Sequence, residues 1–156
     1  DKRGIFEHIV DAFLTRLSDA IRVIELEDPD VRPMQELREN LQRVVALFAS
    51  EPAMAQILLS AAVGLDADFD RKLLSFYDVL QALLERAFAQ GEAAGLVRPG
   101  DHRVRALCVL GAIKEMLYQV VVRRAVTDTD TLVAATLDLL GGGLFTEASV
   151  RALRSE

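Results

Sequence analysis

Apolar residues recur at three- and four-residue intervals along nearly the whole chain, the spacing that gathers one face of an α-helix. Phe6, Ile9, Val10, Phe13, Leu17, Ile21 and Ile24 form the first such stripe and predict a helix from about Arg3 to Leu26. The stretch "DPDVRP", bracketed by Pro29 and Pro33, ends it near Glu27. A second helix follows over about Val31 to Ala49, with Met34, Leu37, Leu41, Val44, Val45 and Phe48 on its inner face. Ser50 reads as an N-cap and Pro52 as a first-turn residue, where a missing N–H costs nothing. They open a short helix over about Glu51 to Val63 that is apolar nearly all round and is expected to be buried on several sides. A long fourth helix runs from about Ala67 to Ala94, carrying Phe69, Leu73, Phe76, Leu80, Leu83, Leu84 and Ala87. Gly95 stops it and Asp101 starts the next. The fifth helix covers about His102 to Val126 and the sixth about Asp130 to Leu140. The glycine run Gly141 to Gly143 is predicted to break the helix, and "TEASVRALR" reads as a capped terminal turn. No run alternates with period two and no Asn-Gly or Asp-Gly hairpin turn occurs, so strands are not expected. The prediction is one all-α domain over residues 1–156, a helical bundle of about six main helices.

The fifth helix is the most informative. At about 100° per residue, Leu110, Ile113, Leu117 and Val120 share one face. Val104, Cys108, Gly111, Tyr118 and Val122 share the opposite one, leaving Arg105, Gln119 and Arg123 for water. A helix apolar on two opposed faces needs partners on both: the core on one side, and on the other either a further core helix or a second copy of the chain. The sixth helix is also apolar, through Leu132, Val133, Leu137, Leu139 and Leu140. Two such helices meeting their two-fold mates would form an isologous four-helix interface, with Gly111 allowing close backbone approach. Val104, Cys108, Gly111, Val122, Leu132, Leu139 and Leu140 are accordingly expected at a homodimer interface.

Composition narrows the function. The 156 residues are 51% hydrophobic and 27% charged, a globular balance in a chain long enough to bury a core. Charge interrupts every apolar run well before the roughly 18 residues a membrane span needs, so no membrane partner is expected. A lone cysteine, Cys108, excludes an internal disulfide, gives no metal-ligand spacing, and fits a reducing cytoplasm. The net charge of −6, without a Lys/Arg cluster, argues against this stretch gripping nucleic acid. No Ser/His/Asp, Cys/His or carboxylate pair has supporting spacing, and His8 and His102 lie far apart and read as surface residues. No enzyme activity, metal or cofactor is predicted.

Two charges sit awkwardly. Lys114 projects between Leu107, Leu110 and Val121, and Glu115 falls on the stripe of Cys108, Gly111 and Tyr118. Burying either alone would cost several kcal/mol. Lys114 therefore either snorkels to a rim or anchors a ligand in an apolar pocket. Glu115 either pairs with an arginine at an interface or serves the same pocket. The hydroxyls of Tyr77 and Tyr118 also lie on largely apolar surfaces.

Two stretches resemble the TetR (tetracycline repressor) family of bacterial transcription regulators. "DKRGIF", Asp1 to Phe6, is similar to the seam where that family's DNA-binding domain runs into its connecting helix. "ALLERAFAQGEAAGLVRPGDHRVRALCVLGAI" is similar to the regulatory domain, where a long helix closes with Gly-x-x-x-Gly-x-(Leu/Val)-Arg, here Gly91 to Arg98. The resemblance implies an effector-binding and dimerisation domain, with a helix-turn-helix domain expected upstream. Operator DNA would be reached only through that domain. The implied effector is small and largely apolar, held by Phe13, Leu17, Ile57, Leu58, Ala61, Tyr77, Leu80 and Leu84 as walls, with Lys114, Glu115 and Tyr118 as polar contacts. Its binding would tilt the connecting helix and release the operator. The competing expectation is a helical homodimeric interaction module that docks a partner protein and holds no ligand.

Overall fold

The computed structural model describes residues 2–60, 67–125 and 128–154. Seven α-helices account for most of these: α1 Lys2–Ala20, α2 Pro33–Ser50, α3 Pro52–Ser60, α4 Ala67–Ala93, α5 His102–Leu117, α6 Thr129–Gly143 and α7 Glu147–Arg154. A π-helical turn, Tyr118–Val122, continues α5. The fold is all-α, as the helical periodicity requires.

Helix α2 is the hub. It packs against α1, α3, α6, α7 and the π turn. Its buried residues Met34, Leu41, Val45 and Phe48 repeat at the spacing of one helix face. Phe48 meets Phe13 of α1 edge to face, with ring centroids 5.2 Å apart. Val10, Phe13 and Leu17 of α1, and Met54, Ala55 and Leu58 of α3, join one core that continues through Leu73 and Phe88 of α4, Ala106, Val109 and Leu117 of α5, and Val133 and Leu137 of α6; Phe13 is 0% exposed.

The first helix ends at Ala20, not near Glu27, although Ile21 and Ile24 prolong its apolar pattern. The cause lies on α2. The Asn40 amide both donates to the Arg22 carbonyl (2.9 Å) and accepts from the Arg22 N–H (2.8 Å). Arg43 Nε donates to the Ala20 carbonyl (2.9 Å), and its Nη2 donates to Asn40 Oδ1 (2.6 Å). These side chains satisfy backbone groups that another helical turn would otherwise have used. Ser50, expected to cap α3, instead ends α2, its hydroxyl donating to the Leu47 carbonyl (2.7 Å). The predicted ends of the third and fifth helices, Val63 and Val126, lie outside the described residues.

The close of α4 carries the glycine motif. The Leu96 N–H bonds the Gly91 carbonyl (2.8 Å) and the Gly95 N–H bonds that of Glu92 (3.0 Å), the paired bonds of a Schellman ending, with Gly95 at φ +73°. Gly91 is needed for space: a Cβ there would come within 2.7 Å of Val97 Cγ2. The returning strand-like segment forms an antiparallel bridge, Val97 to Phe145, flanked by Arg98 N–H to Leu144 O (3.0 Å) and Thr146 N–H to Leu96 O (3.1 Å). Arg98 Nη1 also donates to the Gly142 carbonyl (3.2 Å). One motif thus ties α4 to the joint between α6 and α7.

Downstream, Asp101 caps α5 as expected, accepting from the Val104 N–H (3.0 Å). Asp128 caps α6 and accepts from the Asp130 N–H (3.1 Å). Its carboxyl is held below the ordinary aspartate range, mainly by the hydroxyl of Thr131 and then by backbone donors. The glycine run does not break α6. The helix passes through it to Gly143, because Gly141 is buried against Val150 and the Arg98 guanidinium holds the next carbonyl. "TEASVRALR" is a full helix, α7, anchored where the buried Ser149 hydroxyl donates to the Leu96 carbonyl (2.9 Å). No helix among the described residues is long and apolar enough to cross a membrane.

Candidate functional site

Helices α4 and α5 run side by side; Leu73, Phe88, Ala106, Val109 and Leu117 join the core, and beside them the two helices form a seam. Of the 27 residues of α4, only Leu73, Phe88 and Gly91 are buried. Tyr77, Leu80 and Leu84, which the spacing places on the same face, are half-buried. Ile113, Lys114 and Tyr118 are half-buried on the opposite wall. The seam is therefore apolar but incompletely covered.

Lys114 lies across this seam, its Nζ 5.5 Å from the centroid of the Tyr77 ring. A cation over an aromatic face is attracted by the ring quadrupole. Burial pushes the Tyr77 hydroxyl above its ordinary pKa, since the phenolate would lose hydration there. Glu115 points elsewhere: it is exposed, and its Oε1 accepts from Gln119 Nε2 (2.6 Å) one turn on. The structure brings together Lys114 and Tyr77 and separates Glu115 from both.

The remaining wall candidates divide. Phe13, Leu17 and Leu58 are fully packed core residues, whereas Ile57 is half-buried against that core. Ala61 lies outside the described residues. Tyr118 and Val122 fall in the π turn, and both are half-buried against the core.

The outer stripe itself is exposed on α5. Val104 is 53% exposed, and Cys108 and Gly111 are open, with nothing within 4 Å of a Cβ built on Gly111. Leu107, 51% exposed, completes the patch, although its helical position had grouped it with Lys114. Its spacing of three from Val104 and four from Gly111 was the available signal. On α6, Leu139 is 74% exposed, but Leu132 and Leu140 are half-buried against the core. Cys108 is a free, exposed thiol rather than a small packed hydrophobe.

His8 is exposed, but His102 is not a plain surface residue. Its Nε2 sits 3.1 Å from Glu92 Oε2, and its Nδ1 is buried without a hydrogen-bond partner. Among the described residues no group of three His, Cys, Asp or Glu side chains could hold a metal ion.

No protein-family model matches the chain, and no curated protein matches it. Its three-dimensional structure is similar to that of a "Putative TetR-family transcriptional regulator" from Syntrophomonas wolfei str. Goettingen. The TM-score is 0.68 at 22% sequence identity, over 89% of this chain and 70% of that one. The all-helical architecture and this likeness agree: the chain has a TetR-like fold.

Proposed function

We propose that the chain is the ligand-sensing and homodimerising part of a TetR-like transcriptional regulator, a repressor whose DNA contacts lie in a further domain. The observation that carries this reading is the likeness of fold to a regulator of that family. Two surfaces support it. The α4–α5 seam offers half-covered apolar walls with a cation among them, the composition of a small-molecule site. The Val104–Leu107–Cys108–Gly111 patch on α5 offers an unpartnered apolar face for an isologous contact, with Leu139 on α6 as a second candidate.

In this mechanism a largely apolar effector binds the seam. Ile57, Tyr77, Leu80 and Leu84 form its walls, with Phe13, Leu17 and Leu58 as the packed layer behind. For release from DNA, the effector must bind the DNA-incompetent arrangement more tightly than the competent one. The connecting element is α1, which is fastened to α2 by Asn40 and Arg43 and linked to α4 by the Lys72–Asp11 ion pair. A shift of α4 thus has a direct route to α1. No catalytic step is involved.

Native mass spectrometry of the purified chain tests both halves of the reading. The expected result is a dimer that releases a small mass, or accepts one on screening, and that becomes a folded monomer on Leu107→Glu substitution. A monomeric wild type would remove the homodimer, and the partner-docking module would then become the better account of the exposed stripe.

A further inference from the structure

We infer that the α4–α5 seam selects an effector with an anionic, carboxylate-type head on an apolar body, and that Lys114 is the contact for that head. The inference rests on the sensor reading above and specifies the chemistry of its ligand.

Three observations carry it. First, Lys114 is half-buried, and its contact is the face of the Tyr77 ring; no carboxylate among the described residues pairs with it. Lys72, by contrast, is matched by Asp11 at 2.8 Å. Second, the carboxylate nearest in sequence, Glu115, is directed to the exposed side and bonds Gln119. The chain has 24 acidic residues against 18 basic ones, so a lysine left without a carboxylate does not reflect a shortage of acids. Third, half-buried apolar side chains flank the pair along each helix, Leu80 one turn from Tyr77 and Leu110 one turn from Lys114.

A cation in such a place loses hydration and recovers part of it from the aromatic face, about 0.5–1 kcal/mol where solvent still reaches. A carboxylate guest adds a charge-assisted hydrogen bond in a medium of reduced dielectric, where that bond is stronger than in water. The Tyr77 hydroxyl, which has no hydrogen-bond partner among the described residues, supplies a second donor at the edge of the same ring. Its raised pKa keeps it a donor across the physiological range. A cationic guest would meet like charge at Lys114, and a neutral one would leave the ammonium uncompensated.

The test compares decanoate with 1-decanol by isothermal titration calorimetry on the full chain, in wild type, Lys114→Met and Lys114→Arg. Wild type is expected to bind decanoate at least tenfold more tightly than decanol. Met keeps the apolar stem and loses the charge, so K114M should abolish the preference, bringing decanoate and decanol to similar affinity. K114R should retain the preference for the acid. Circular dichroism and the oligomeric state of each variant serve as folding controls. Equal binding of acid and alcohol by wild type, or an acid preference that survives in K114M, overturns the inference and leaves the sensor reading standing. Binding of neither probe by a folded wild-type chain counts against both.

Discussion

The α1–α2–α3 core and the α4–α5 seam are built from the same kinds of residue, yet they are packed to different completeness. In the core, Val10, Phe13, Val45, Ala55 and Leu58 are sealed, and Arg16 closes the margin by reaching over the Phe13 ring to Glu51. In the seam, a helix of 27 residues seals only three of its own, and Tyr77, Leu80 and Leu84 on its inner face remain half-covered. Close-packed interiors resist any change of volume, whereas incompletely covered walls can accept one. The sealed residues hold the fold, and the half-covered seam is the region the proposed effector would occupy. Residue type does not separate the two regions: Leu17 and Leu58 are sealed while Leu80 and Leu84 are half-covered, and only coverage distinguishes them.

The sharpest break of this contrast compares two truncations. Phe13→Ala should cost about 3–5 kcal/mol, the range for a sealed aromatic, whereas Leu84→Ala should cost about 1–2 kcal/mol because its site is already half-solvated. Urea denaturation of both variants reads this directly, and equal losses would erase the distinction. Next in size is Asn40→Ala, which strands the Arg22 N–H and carbonyl together with one Arg43 donor. A loss of about 1–3 kcal/mol is expected, with faster amide exchange confined to the end of α1 and the residues after it. Protection of Arg22 equal to wild type would show the clamp to be dispensable. The smallest effect belongs to the seam. Because burial raises the Tyr77 pKa above the ordinary value of 10.0, its contribution is fully present below that pH and is lost as the pH climbs through the folded-state value. Tyr77→Phe should flatten the alkaline limb of a thermal-melt series, and a variant that keeps the wild-type slope above pH 10.0 would place the titration elsewhere.

Much of the fold was legible because its signals are local. Helical periodicity set the order of elements, Asp101 announced α5, and Gly95 announced the close of α4 through a conformation that glycine adopts without strain. What sequence could not supply came from distant partners. The end of α1 is decided by Asn40 and Arg43, more than 15 residues downstream, against an apolar pattern that continues to Ile24. The glycines of α6 stay helical because Arg98 and Val150 support them, a circumstance that no local rule contains. Tyr118 and Val122, grouped by a constant helical angle with the exposed Val104 and Cys108, are half-buried where the helix passes into its π turn. The site was half-legible for the same reason. Lys114 stood out as a charge among apolar neighbours, but that it meets Tyr77 while Glu115 turns away is a fact of how two helices lie together.

The ending of α4 has a mechanical consequence. Gly91, Val97 and the bridge to Phe145 pin the α4–α5 hairpin at one extremity, with Gly91 so close to the Val97 side chain that an added Cβ would lie 2.7 Å from its Cγ2. Tyr77 sits 14 residues back along α4 from Gly91, which at 1.5 Å per residue is a lever arm of roughly 20 Å. A rotation of about 5° around the pinned point moves the Tyr77 level by roughly 2 Å, while the fulcrum barely moves. If the α4–α5 hairpin turned about its glycine end, Lys72, farther out on the same arm than Tyr77, would pass a larger displacement to Asp11 and so to α1.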